Sequence, residues 1–302
     1  MPNRVMFELT NHCNLHCKMC GIWEEPNKKN IDLKKYENIL KDKILNKIRY
    51  IALTGGEPFL LTNLEEYYGL VKKYFPKVYI NISTNGFLTK RTINFLNSID
   101  TKRLSITISY DGIKNHDSIR RVNGSREKLL ETAVNIKNNH PQIELSLKMT
   151  ITNENYSEIL TTANQCKDLE ISFRFKTLEK LNNCQQSRFP AEIKEPNYSK
   201  DILDSITKQA KKILDLNIET NTNYVKNLIK KNSGKHLPCS CSTKKLFIAI
   251  DGNVFLCRKK EPIGNINIDT LSDIWVSYQK KSIVNDMNNC EDSTQSLSFI
   301  HN

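Results

Sequence analysis

The stretch Asn11-His12-Cys13-Asn14-Leu15-His16-Cys17-Lys18-Met19-Cys20-Gly21-Ile22-Trp23 decides how this chain is read. It sets three thiols within eight residues, in the spacing C-x3-C-x2-C, directly after a strand-like run at 5–10. Three thiolates this close can ligate one compact iron–sulfur cluster and leave one corner without a protein ligand. Zinc also accepts thiolates but prefers four protein ligands in a structural site, and the flanking His12 and His16 could complete it. Position favours the cluster, because the end of the first strand of an α/β unit is where such folds place ligands. The chain holds nine cysteines, an odd number that cannot all pair, and a reducing compartment gives disulfides little use.

Outward from this stretch, β-branched runs at 5–10, 49–54, 78–83, 103–109, 143–152 and 171–177 alternate with helix-period segments. The latter lie around 32–46, 64–75, 90–98, 126–139 and 155–167. The second opens on Thr62-Asn63-Leu64-Glu65, a capping-box pattern, and Pro76 stops it. Repeated strand–helix alternation means parallel strands joined by right-handed crossovers. Six strands fall short of the eight that close a full barrel. The expected fold is therefore α/β, a partial (β/α)6 TIM-like barrel over 1–180. A connector with two helices near 200–215 and 222–231 fills 181–235. A small C-terminal domain, 236–302, is built on a hairpin around Asp251-Gly252-Asn253.

In the 302 residues no run approaches the roughly eighteen apolar residues of a membrane helix, and the N-terminus lacks an apolar signal core. The expectation is a cytoplasmic protein without a membrane partner. Its net charge is +12, and residues 201–260 carry twelve Lys/Arg against five Asp/Glu, a local +7. The lysines there are spaced like the wet faces of amphipathic helices; the alternative is a surface that attracts something acidic. No nucleic-acid motif or interleaved aromatic residues accompany the charge, so nucleic acid is not an expected partner.

Further segments follow the triad in order at successive strand ends, and together they resemble the radical S-adenosylmethionine (SAM) superfamily over about residues 5–180. Thr54-Gly55-Gly56-Glu57-Pro58 looks like the GGE motif that holds the methionyl amino group of SAM. Glycines would admit the ligand to the backbone, and a carboxylate would pair with its ammonium. Ser83-Thr84-Asn85-Gly86 and Ser109-Tyr110-Asp111-Gly112 resemble segments that bind the ribose and methionine portions. The resemblance thus points to Ser83, Asn85, Ser109 and Asp111. It also implies Arg120, in His116-Asp117-Ser118-Ile119-Arg120, for the SAM carboxylate, and Met149 and Ile151 as adenine neighbours. Met19 would shield the adenine side. Each segment alone also fits ordinary turn chemistry. The resemblance implies a [4Fe-4S] cluster on Cys13, Cys17 and Cys20 that, reduced by a donor such as flavodoxin or ferredoxin, binds and cleaves SAM. The 5′-deoxyadenosyl radical so released removes a hydrogen atom from a substrate carbon.

Cys239, Cys241, Cys257 and Cys290 form a second set. Gly252-Asn253-Val254-Phe255-Leu256-Cys257 is G-x4-C and, with Ile263-Gly264-Asn265-Ile266 and Leu271-Ser272-Asp273-Ile274-Trp275, resembles the SPASM/twitch extensions that hold auxiliary iron–sulfur clusters. The chain departs from that pattern at Ser293, where the second cysteine of a C-x2-C would stand, and no cysteine follows Cys290. The ligand count then implies one auxiliary [4Fe-4S] cluster of twitch type, on Cys241, Cys257 and Cys290, with Cys239 as fourth ligand or an iron open to substrate. Zinc on the same cysteines, or a vestigial site, are the alternatives. Cys166 reads as a small buried hydrophobe. Cys184 is a candidate hydrogen-atom donor or ligand, or a plain loop cysteine; Arg174 and Glu179 are substrate contacts or surface ion pairs.

Among functions, modification of a ribosomally made peptide is favoured: crosslinking, epimerisation or thioether formation, with the auxiliary cluster handling electrons. The basic 201–260 stretch would suit an acidic leader, although a strand beginning at Val5 leaves no room for an N-terminal leader-recognition domain. The alternative is oxidation or rearrangement of a small polar metabolite such as an aminosugar, cyclitol or nucleotide sugar. Retention of GGE and the ribose segments speaks against a non-catalytic metal-binding scaffold.

Overall fold

Apolar alternation builds the sheet. In a computed structural model that describes residues 1–178, 198–233, 244–257 and 260–279, six parallel strands run in chain order. They are β1 (Arg4–Glu8), β2 (Tyr50–Thr54), β3 (Tyr79–Thr84), β4 (Leu104–Ser109), β5 (Glu144–Ile151) and β6 (Ser172–Thr177). Between them lie α1 (Leu33–Leu40), α2 (Leu64–Tyr74), α3 (Thr89–Ser98), α4 (His116–Arg120), α5 (Ser125–Asn139) and α6 (Ile159–Asp168). One face of the strands, including Leu53, Ile82, Ile108, Leu147 and Phe175, is buried in a core shared with Phe95, Leu129 and Ala163 of the helices. Each such side chain contributes about 1.5–3 kcal/mol, which makes this layer the main source of stability.

On β3 and β4 the other face is polar. Asn81 Nδ2 donates to Ser105 Oγ (3.0 Å) and Thr107 Oγ1 (2.9 Å), and Ser83 Oγ donates to Asn81 Oδ1 (3.1 Å). A closed eight-stranded barrel fills this space with branched apolar side chains. Here hydrogen-bonding groups line a lumen.

The sheet continues past β1. Strand β7 (Lys245–Ile248) pairs parallel with it, and β8 (Asn253–Phe255) and β9 (Gly264–Asn265) follow antiparallel, giving the order β6-β5-β4-β3-β2-β1-β7-β8-β9. Among the described residues the barrel is open, with β6 and β9 at the ends of the sheet, as expected for a partial α/β barrel. The C-terminal hairpin is thus an extension of the barrel's own sheet. Its turn needs Gly252: φ is +90°, and a methyl there would lie 2.4 Å from Asn267 Nδ2, which donates to Asp251 O (2.8 Å). Helix α9 (Leu271–Gln279) docks back, with Ser272 N donating to Asp42 Oδ2 (2.9 Å).

Helices α7 (Lys200–Asp215) and α8 (Thr222–Asn232) cover the β6 side. Phe173 N donates to Glu219 O (2.9 Å) and Thr177 N to Tyr224 Oη (2.8 Å), which blunts the edge strand. Ile206, Ala210, Ile213 and Leu228 are buried while Lys208, Lys211, Lys212 and Lys226 face water, the pattern of a solvated helical face. The expected domain boundaries at 180/181 and 235/236 lie outside the described residues. Among the described residues no helix is long and apolar enough to cross a membrane.

Two local expectations are corrected. The helix expected over 32–46 divides into α1 and a short 3-10 turn (Lys43–Lys47), because Asp32 caps the first (Lys35 N, 2.8 Å) and Asp42 the second (Ile44 N, 3.0 Å). The capping box at Thr62–Glu65 does not form. Asn63 is the N-cap without a side-chain bond, and Glu65 instead pairs with Arg91 of α3 (Nη2–Oε2, 2.8 Å).

Candidate active site

The cysteine loop leaves the C-terminal end of β1 and is pinned on every side. Gly56 N donates to Thr10 O (2.7 Å), Glu57 N to His12 O (2.8 Å), and Asn85 Nδ2 to Asn14 Oδ1 (2.8 Å). On the far side Lys18 N donates to Ile119 O (2.9 Å) and His16 N to Arg120 O (3.3 Å), while Lys18 Nζ pairs with Glu154 Oε2 (2.8 Å). Both glycines of the GGE segment serve this docking. A methyl at Gly55 would sit 2.3 Å from Thr10 O, and one at Gly56 2.0 Å from His12 O and 3.1 Å from Cys13 Cβ. The cysteine loop itself thus requires glycine at both positions, while Gly55 also borders the cavity.

Glu57 also has a different role from the expected one. Its carboxylate is fully buried, accepting from Thr84 Oγ1 (2.7 Å), Asn85 N (2.7 Å) and Phe59 N (3.1 Å). Burial raises its pKa to about 7, against the pull of those three hydrogen bonds. It ties the ends of β2 and β3 together and does not reach the cavity. Asn85 is likewise committed to the cysteine loop. Asp111, fully buried, grips Arg120 (Oδ2 to Nε and Nη2, each 2.6 Å) and accepts from Thr150 N (2.9 Å). Burial opposes the charge on Arg120, but Asp111 and Cys17 outweigh it and hold the guanidinium above its ordinary pKa.

A cavity of about 330 Å³ opens at these strand ends. Met19, Cys20, Gly55, Ser83, Ser109 and Arg120, all expected at the site, line it. Met149 and Ile151 do not: both are fully buried in the apolar layer, and their strand neighbours Lys148 and Thr150 face the cavity instead. A strand alternates with period two, so the expectation was off by one residue in parity. The lumen residues that sequence reasoning missed, Glu8, Lys148, Thr150, Lys176 and Lys245, share that inward parity, the available signal for them. Arg174 also stands on the inward parity of β6, where its charge is felt by Tyr50.

The donor set fits an iron–sulfur cluster. Burial, reinforced by the charges of Glu57, Cys17 and Cys20, pushes the Cys13 thiol up to about 12. Binding a cation would therefore have to displace that proton. Among the described residues no three Cys, His, Asp or Glu side chains converge on a single-ion site. His16 packs edge-on against Trp23 (5.0 Å between centroids). Cys257 is buried at the end of β8, next to Leu256 in the cavity wall. Cys184, Cys239, Cys241, Cys290, Glu179 and Ser293 lie outside the described residues. Cys166 is fully buried in α6, with burial pushing its thiol up to about 12, as expected of a small hydrophobe.

A three-cysteine loop over the strand ends of an open α/β barrel defines a metal-cluster enzyme. The radical SAM superfamily profile matches residues 7–166, and that of the SPASM iron–sulfur cluster-binding domain residues 239–293; the chain belongs to the radical SAM superfamily. Its cofactors are SAM and a [4Fe-4S] cluster, and the SPASM match implies auxiliary iron–sulfur clusters. The chain is 27% identical over 214 residues to GTP 3′,8-cyclase of Sulfurovum sp. (strain NBC37-1), covering 66% of this chain and 60% of that protein. It is 30% identical over 175 residues to the antilisterial bacteriocin subtilosin biosynthesis protein AlbA of Bacillus subtilis (strain 168), covering 56% and 38%. In fold it resembles Streptococcus suis SuiB bound to S-adenosylmethionine, with TM-score 0.72 and 15% identity over 100% of this chain and 76% of that one. SuiB bound to its precursor peptide SuiA is also similar (TM-score 0.68, 16% identity, 96% and 71%). The chain thus spans about three fifths of the length of the first curated relative.

Proposed function

We propose that the enzyme modifies a ribosomally made peptide. The observation that carries this reading is the SPASM match on a chain whose fold follows, along nearly its whole length, an enzyme solved with a precursor peptide. The AlbA similarity points the same way. When bound, the cluster and SAM supply one-electron cleavage of the sulfonium and hydrogen-atom removal from a substrate carbon. Cys13, Cys17 and Cys20 hold the cluster in this reading. Ser83 and Ser109 line the cavity, where they would take the ribose and methionine portions, and Arg120, held by Asp111 in the cavity wall, would meet the SAM carboxylate with its remaining N–H. Met19 supplies an apolar cover. Cys257, with Cys239, Cys241 and Cys290, would hold the auxiliary cluster, and a reductant such as flavodoxin or ferredoxin would feed the electrons. The units then divide at 1–180, 181–235 and 236–302.

A second reading, a small polar metabolite such as a nucleotide sugar, is favoured by the lumen's charge. Its described lining residues include Arg4, Arg120, Lys148, Lys176 and Lys245 as well as Glu8, groups that would meet the phosphates and hydroxyls of such a substrate. The test is anaerobic incubation of the reconstituted enzyme with SAM, dithionite and the short peptides encoded beside its gene, read by mass spectrometry. A SAM-dependent mass change on a peptide supports the proposal. Unchanged peptides with turnover of a sugar or nucleotide would overturn it.

A further inference from the structure

The arginine expected to meet the SAM carboxylate already has a sulfur partner. Arg120 Nη1 lies 3.5 Å from Cys17 Sγ, within hydrogen-bond reach for sulfur. Cys17 is the most buried of the three loop cysteines, so a nearby charge is poorly screened there.

The contact is held from several directions. Asp111 grips the guanidinium through Nε and Nη2, which leaves Nη1 turned to the sulfur. Asp111 is itself fixed by Thr150 N on Oδ1 (2.9 Å) and by its own N–H donating to His116 Nδ1 (3.0 Å). The backbone repeats the clamp on both sides of Cys17: His16 N donates to Arg120 O and Lys18 N to Ile119 O. An arginine placed only for a ligand needs no such registration with residues 16–18.

We propose that Arg120 is a positioning residue for the cluster as well as a neighbour of the cavity: its N–H to Cys17 Sγ raises the reduction potential of the SAM-binding cluster. The physical basis is that one-electron reduction adds negative charge to cluster and thiolates. A hydrogen-bond donor that carries positive charge stabilises the reduced form more than the oxidised one. Asp111 offsets part of that charge and, in exchange, fixes its direction. The inference rests on the reading that Cys13, Cys17 and Cys20 hold the cluster.

The test is an EPR-monitored redox titration of the reconstituted holoenzyme without SAM, after iron has been counted. The SAM-binding cluster is identified as the signal that changes when SAM is added afterwards. Arg120→Gln alone leaves Asp111 buried and unpaired, so the double variant Arg120→Gln/Asp111→Asn, a neutral pair of the same size, is titrated beside it, with Arg120→Lys as the conservative change. The expected result is wild-type iron content and at least a tenfold loss in the reduction equilibrium in the double variant, about 59 mV more negative for one electron. Arg120→Lys should fall between. A wild-type midpoint in a fully loaded double variant would overturn the proposal while leaving the triad reading intact. Failure of the wild type itself to load a SAM-responsive cluster would instead sink the triad reading.

Discussion

At the scale of the residue, Gly56 shows how tightly the cysteine loop is built into the sheet. One methyl there meets the His12 carbonyl oxygen at 2.0 Å and its carbon at 2.6 Å, backbone atoms rather than the flexible end of a side chain. Gly56→Ala should displace the loop at a cost of about 1–3 kcal/mol. The variant should keep its far-UV circular dichroism and lose about four irons per chain after reconstitution; full iron loading would show that the loop tolerates the shift. His116 carries a pH prediction. Burial, with Arg120 nearby, holds its pKa down to about 4, against 6.5 for the exposed ring. Its Nδ1 accepts from Asp111 N, and its Nε2 is buried without a partner. The folded state therefore keeps the ring neutral, whereas the unfolded chain takes up a proton below about pH 6.5. Its contribution is present above that pH and lost as pH falls towards 4, by roughly 2 kcal/mol at pH 5. Urea unfolding of the cluster-free protein at pH 7 and 5 should show this loss, and His116→Asn should show a smaller one. Equal losses in both would remove His116 as the cause. Sequence reading found which residues surround the site more readily than what each does. The Cys-x3-Cys-x2-Cys spacing and GGE were plain, but Glu57 looks like an open carboxylate until the three donors around it are placed.

At the scale of the element, alternation of strand and helix is legible because burial on one strand face leaves an apolar record with period two. All six barrel strands form within a few residues of their expected ranges. Parity is the hard part on β5: the resemblance points to Met149 and Ile151 as adenine neighbours, yet on this strand Lys148 and Thr150 line the cavity and those two are buried in the apolar layer. Helix α4 was not foreseen, since five residues leave too short a period to detect. Asp117 within it organises the start of α5, accepting from Gly124 N (2.7 Å), Ser125 Oγ (2.8 Å) and Arg126 N (2.8 Å). The β7–β8 hairpin was legible from its Asp-Gly turn, but not its pairing with β1, which depends on contacts across more than two hundred residues. That pairing supplies an element-scale prediction. Gly252→Ala forces a side chain into a left-handed turn and against Asn267 and Asn265, so it should loosen the segment that presents Cys257. Iron should fall from about eight to about four per chain, with the SAM-responsive EPR signal retained. Loss of that signal instead would mean that the hairpin supports the first cluster.

At the scale of the whole molecule, one open sheet leads to both the triad loop and Cys257. The triad loop rises from the end of β1, and β7 pairs along that same strand, bringing Leu256 into the cavity wall and Cys257 just behind it. Iron analysis of the reconstituted chain should give about eight irons, two cubane clusters, with zinc absent. About four irons, or zinc, would remove the auxiliary cluster from the account and leave the first untouched. The central claim is that the loop bearing Cys13, Cys17 and Cys20 holds a cluster that cleaves SAM. The most direct measurement is 5′-deoxyadenosine released by anaerobically reconstituted enzyme given SAM and dithionite. The account predicts release from the wild type and none above background from Cys17→Ala. No release from a fully loaded wild type, or undiminished release from Cys17→Ala, would contradict it.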